Sequence, residues 1–158
     1  MNWLWFALAA IVVVIDQYTK LIASSELAYL TPVQVTSWFN WMLAHNEGAA
    51  FSFLSDAGGW QRWFFTAIAV LVSAVIALWI WKLPAQSKWM GVCLGLILGG
   101  AVGNMIDRWT LGYVVDFISL HYHNRYFPAF NIADSAISVG AVMLIIDSFR
   151  SDKKTESA

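Results

Sequence analysis

Apolar residues fall in four long blocks along the chain, and polar residues gather at the ends of those blocks. The first block covers about 3–23, the second 63–81, the third 89–106 and the fourth 132–146. Each is long enough to span, or nearly span, a bilayer, which takes about 20 residues of helix. Between the first and second blocks, 33–43 shows partial alternation of apolar and polar positions. So does 118–123, between the third and fourth. That period suits short strands, not helix. The pattern predicts an all-α membrane protein, a four-helix transmembrane bundle with a small β-rich external subdomain. Residues 1–150 read as one domain, and the polar stretch 151–158 reads as a disordered tail.

Composition narrows this further. Of 158 residues, 59% are hydrophobic and only 12% charged, about half the usual charged share. A soluble domain of this size cannot bury so much apolar surface. The formal net charge of −1 supplies no basic stripe for nucleic acid. The single cysteine, Cys93, leaves no internal disulfide and no cysteine-based metal cluster. The first block lacks a basic n-region and continues past Asp16 and Lys20, so it reads as a retained helix, not a leader. Tryptophans at 3, 5, 60, 63, 79, 81 and 89 mark helix ends, as an interfacial belt does.

Lysine and arginine set an orientation. Lys82 and Lys88 flank 83–87, and Arg150, Lys153 and Lys154 fill the tail. The positive-inside rule then puts both termini and the 82–88 link in the cytoplasm. Asp16, Lys20, Asn104, Arg108 and Asp134 consequently share the external layer. Trp38, Phe39, Trp41, Phe51, Tyr122, Tyr126 and Phe127 give that face an apolar surface suited to lipid.

Two carboxylates stand out. Asp116 lies in the apolar run Gly112-Tyr-Val-Val-Asp-Phe-Ile118, and Asp134 opens the fourth block. An ionised aspartate at the bilayer centre costs roughly 2.5–3.5 kcal/mol, less towards the interface. Two carboxylates able to reach one water make a general acid/base pair. The plainer reading of Asp134 is a cap: Asn131 precedes it by three residues, the spacing of a capping box. Asn104, Asp107 and Arg108 fall on one helical face, either as an interfacial ion pair or as groups that hold a substrate. Asp16 and Lys20, four residues apart, read as a mutually neutralising pair between helices. The third block carries Gly91, Gly95, Gly99, Gly100 and Gly103, small residues that let membrane helices approach closely. His121 and His123 would point to one face of a short strand without a third metal ligand. Ser24 and Ser25 beyond Lys20 carry no nucleophile signature.

Five segments, in order, resemble lipoprotein signal peptidase, the signal peptidase II family of bacteria. They are Asp16-Gln-Tyr-Thr-Lys20, Asn46-Glu-Gly-Ala-Ala-Phe51, Gly99-Gly-Ala-Val-Gly-Asn-Met-Ile-Asp-Arg108, Val115-Asp-Phe-Ile118 and Phe127-Pro-Ala-Phe-Asn-Ile-Ala-Asp134. The resemblance implies an aspartic endopeptidase of the bacterial cytoplasmic (inner) membrane. Its substrates would be diacylglyceryl-modified prolipoproteins, cut just before the modified cysteine. Asp116 and Asp134 would form the catalytic dyad, and Asn46, Gly48, Asn104, Arg108 and Asn131 would contact substrate. Asp16 and Lys20 would be a structural pair. The resemblance also implies no metal or cofactor, inhibition by globomycin, lipid as neighbour and a monomer. The competing expectation is a small transporter or proton channel. Such a path needs polar groups through the full membrane thickness, and the second block has no charge.

Overall fold

The computed structural model describes residues 2–48 and 60–155; Phe51 therefore lies outside the described residues. The elements run α1 (Trp3–Glu26), β1 (Val33–Gln34), β2 (Phe39–Asn46), α2 (Trp60–Lys82), α3 (Lys88–Thr110), β3 (Val114–Tyr122), β4 (Arg125–Tyr126) and α4 (Ile132–Thr155). All four helices contain a window long and apolar enough to cross a membrane. Every helix outruns its predicted block. The largest difference in length is α4, which runs to Thr155.

The glycines of α3 explain how the bundle closes. Gly91, Gly95, Gly99 and Gly103 repeat every four residues and face α1. A Cβ at Gly103 would stand 2.6 Å from an Asp16 carboxylate oxygen, and one at Gly99 2.7 Å from the Ala9 carbonyl. Gly100 faces the other way, where a Cβ would lie 2.3 Å from the carbonyl oxygen of Ala133 in α4. Helix α3 is therefore the central post, with α1 and α4 at backbone contact on two sides. Trp5 departs from the aromatic-belt expectation. Its indole lies over Gly91 inside the bundle, while Trp3, Trp60, Trp63, Trp79, Trp81 and Trp89 stay exposed.

The strands form one antiparallel sheet, ordered β1-β2-β3-β4, at the Asp134 end of the bundle. In β2–β3, Ala44 pairs with Asp116 and Asn46 with Val114, with an irregularity between Trp41 and Ala44. Residues leading into α4 join the sheet: Phe130 exchanges backbone hydrogen bonds with Ile118, at 2.9 and 3.1 Å. That join ties the strand carrying Asp116 to the helix carrying Asp134. Arg62 of α2 closes the last turn of α3 by donating from Nε to the Arg108 carbonyl at 2.7 Å and from Nη2 to that of Trp109. The paired strand alternation expected for His121 and His123 fails. His121 is in β3 with its ring stacked on Tyr126, whereas His123 sits in the turn with φ +52°. Of the predicted apolar face, Trp38, Trp41, Tyr122, Tyr126 and Phe127 are exposed.

Candidate active site

Each aspartate of interest is placed by a local rule. Asn131 is the residue before α4, and its side-chain Oδ1 accepts the Asp134 amide at 2.9 Å. Asp134 Oδ2 accepts the Asn131 amide at 3.3 Å. This is the reciprocal capping box expected from the spacing. The cap does not exhaust Asp134, because its Oδ1 turns away from the helix and accepts Asn104 Nδ2 at 2.7 Å. Asp116 sits in a strand whose residues 114–117 are all buried. It shares a sheet face with Asn46, its diagonal neighbour across β2–β3. Asn46 Nδ2 donates to Asp116 Oδ2 at 3.1 Å, and Asn131 Nδ2 donates to Asp116 Oδ1 at 2.7 Å. Every oxygen of the two carboxylates thus meets an N–H, and Asn131 touches both groups.

Burial is severe: Asp116 is 2% exposed and Asn131 0%. Desolvation, reinforced by the negative charge of Asp134, pushes the Asp116 carboxyl up to about 7; the donors Asn46 and Asn131 and the charge of Lys20 pull the other way.

A second polar cluster lies beneath the first. Lys20 Nζ reaches Asp16 Oδ2 at 2.8 Å, Asp107 Oδ2 at 2.9 Å and Asn104 Oδ1 at 2.9 Å. Asp16 Oδ1 accepts the amide of Ala133, in the first turn of α4, at 2.8 Å. Asp107 Oδ2 accepts the amide of Val115 at 3.0 Å, and Gln17 Nε2 donates to Asp107 Oδ1 at 2.7 Å. One of the two readings left open for Asp107 fails here. Asp107 does not pair with Arg108; successive helical residues diverge, and Asp107 turns towards α1 and Lys20. Asp16 and Lys20 do form the buried pair expected, and Asp107 and Asn104 share the ammonium with Asp16. The roles of Gln17 and Asp107 went unread in the sequence. Both depend on which helix α3 meets, although both fall within motif segments.

Arg108 is half-buried, with its guanidinium 5.8 Å from the Phe65 ring and Nη1 3.4 Å from the Asn104 carbonyl. Its Nε is buried without a hydrogen-bond partner among the described residues. Gly48, at φ +91°, donates its amide to Asn46 Oδ1 at 2.9 Å. So Asn46, Asn104 and Asn131 converge on the two aspartates, Gly48 acts on them through Asn46, and Arg108 touches Asn104 without an ion pair to either aspartate among the described residues. Among the described residues no group of three His, Cys, Asp or Glu has metal-site geometry.

The architecture matches a solved structure described as a bacterial membrane enzyme. The TM-score is 0.83 and the identity 31%, over 95% of this chain and 90% of that one. The class is therefore a multi-pass membrane enzyme. Residues 8–150 match the family model described as Signal peptidase (SPase) II. A lipoprotein signal peptidase of Acinetobacter baumannii is 56% identical over 97% of this chain and 87% of its own length. One of Pseudomonas putida is 55% identical over 98% and 90%. The chain belongs to the signal peptidase II family and is a membrane protease; the transporter expectation is not favoured.

Proposed function

We propose that this chain removes the signal peptide from diacylglyceryl-modified prolipoproteins, with Asp116 and Asp134 as the catalytic dyad. The observation that carries the reading is the buried bridge of Asn131 between the two carboxylates, at 2.7 Å to Asp116 and 3.3 Å to Asp134. Two carboxyl groups in one buried network hold one proton between them more readily than none or two. The ionised member takes a proton from water, whose oxygen attacks the scissile carbonyl. The protonated member hydrogen-bonds that carbonyl, and its proton passes to the leaving nitrogen as the C–N bond breaks. No covalent enzyme intermediate is needed. Asn46 and Asn104 fix the carboxylates, and Arg108 Nε offers a donor to a substrate carbonyl.

A substrate held in the membrane by its acyl chains reaches the site sideways, between helices and sheet. A cavity of about 260 Å³ lies behind β3, lined in part by Ile22, Ala23, Leu27, Trp41 and Phe117. Its lining is mostly apolar, as an acyl chain requires, and Phe117 reaches it from the face of β3 opposite to Asp116. The exposed Trp38, Tyr122, Tyr126 and Phe127 would rest on lipid. We take the protein as a monomer of one domain in the bacterial inner membrane, with both termini cytoplasmic and the site near the external face. It would use no cofactor and be blocked by globomycin. The test is complementation: in cells depleted of their own signal peptidase II, this chain should restore processing of prolipoproteins. Accumulated precursor despite normal expression would overturn the reading.

Two expected outcomes follow from this placement. The first concerns pH. A dyad that needs one proton loses activity as pH rises through the range where that proton leaves. With Asp116 at about 7, kcat/KM should fall above roughly pH 7. Asn46 favours the ionised form, so Asn46→Ala should move this descending limb to higher pH, whatever it does to the maximal rate. A limb that moves down, read from pH–rate profiles, would contradict the assignment. The second concerns topology. In a Cys93→Ala background, a cysteine at Asn124 should react with an impermeant thiol reagent on intact spheroplasts, and one at Gln86 should not. Reaction at Gln86 with protection at Asn124 would invert the orientation.

A further inference from the structure

A side-chain amide can face either way, and only its partners decide which end points where. Three asparagines surround the dyad, and each has its carbonyl end claimed by a group that can only donate. Asn46 Oδ1 accepts the Gly48 amide, and Asn131 Oδ1 accepts the Asp134 amide. For both, the controlling donor is backbone. Asn104 differs: its Oδ1 accepts Lys20 Nζ at 2.9 Å, and its Nδ2 is thereby turned onto Asp134 Oδ1 at 2.7 Å. Asn131 Nδ2 also lies 3.2 Å from Asn104 Oδ1, but the same nitrogen lies 2.7 Å from Asp116. The ammonium is the shorter contact on Asn104.

We propose that Lys20 is a positioning residue of the reaction: its ammonium holds the Asn104 carbonyl and so turns the Asn104 amide nitrogen onto Asp134. An ammonium has three donors and no acceptor. Here the three are saturated by Asp16, Asp107 and Asn104, from α1 and α3. With Lys20 removed, Asn104 can flip, and its carbonyl would then face a carboxylate. Asp134 would lose a donor. The residue therefore does more than neutralise two buried aspartates. The inference rests on the proposed dyad.

Two variants test it, beside a wild-type control in the same cleavage assay. Lys20→Arg keeps the charge that Asp16 and Asp107 require. A planar guanidinium cannot reproduce three roughly tetrahedral donors from one atom, so Asn104 loses its hold. We expect thermal stability near wild type, KM within about twofold and kcat lower by about 100-fold, the scale of a small misplacement. The second variant combines Lys20→Met with Asp107→Asn, which removes one charge of each sign and keeps an acceptor for the Val115 amide. It should fold and show the same kcat loss, with KM again within about twofold. Wild-type kcat in either folded variant would overturn the proposal and leave Lys20 as a neutralising charge. An inactive wild-type control would instead refute the peptidase reading itself.

Discussion

Asp116→Asn and Asp134→Asn should each abolish cleavage, by about a thousandfold or more, while the protein still inserts and stays folded. The two groups act as one unit, so removing either member forfeits most of the rate. An asparagine at 116 keeps the volume and can still accept from Asn131 Nδ2 or Asn46 Nδ2, which now contact Oδ1 and Oδ2 at 2.7 and 3.1 Å. It cannot take or give a proton at pH 7. At 134 the asparagine oxygen can still accept the Asn131 amide, so the cap survives in part; loss of a whole cap costs about 1 kcal/mol. Thermal unfolding in detergent should therefore change little while turnover vanishes. Substantial turnover by either variant at wild-type protein levels would remove the dyad assignment.

The second large effect is structural. Gly100→Val should prevent accumulation of folded protein, and Gly100→Ala should lower stability by about 1–3 kcal/mol, the usual scale of overpacking. A Cβ at Gly100 meets backbone, the Ala133 carbonyl oxygen at 2.3 Å, with the carbonyl carbon at 3.1 Å. No side-chain rotation relieves that contact; the first turn of α4 must move. That turn carries Asp134, and the Ala133 amide is its anchor to Asp16. Activity should therefore fall in Gly100→Ala by more than its lost stability explains. Val139→Leu, on the lipid-facing side of α4 where Val139 is 52% exposed, should change neither. Wild-type stability of Gly100→Ala, by thermal unfolding, would contradict the close approach.

What could be read from the sequence divides along physical lines. The helices were legible because a membrane crossing needs an uninterrupted apolar run, and each run is a local property. The capping box of Asn131 and Asp134 was legible for the same reason: its partners are three residues apart. The start of β3 was not. Val114 and Val115 are both buried, so the alternation that marks a half-exposed strand is missing at the strand's start. In β2 the irregularity between Trp41 and Ala44 breaks the period just before Asn46. An ion pair of Asp107 with its neighbour Arg108 was one of two readings open in the sequence. The actual partner of Asp107, Lys20, is 87 residues away in sequence, brought near by the glycine contact of α3 with α1. The motif segments hold the residues that come together here, whereas the wiring among Lys20, Asn104 and Asp134 emerges only when three helices meet.

The most direct test of the central claim uses purified protein in detergent and two synthetic peptides of one prolipoprotein sequence. One carries diacylglycerol on its cysteine and the other a free thiol. The products are read by tandem mass spectrometry. The expected result is a single cut, immediately before the modified cysteine, in the lipidated peptide, with the unmodified peptide left essentially intact. Equal cleavage of both peptides, a cut elsewhere, or no cleavage by folded wild-type protein would contradict the assignment.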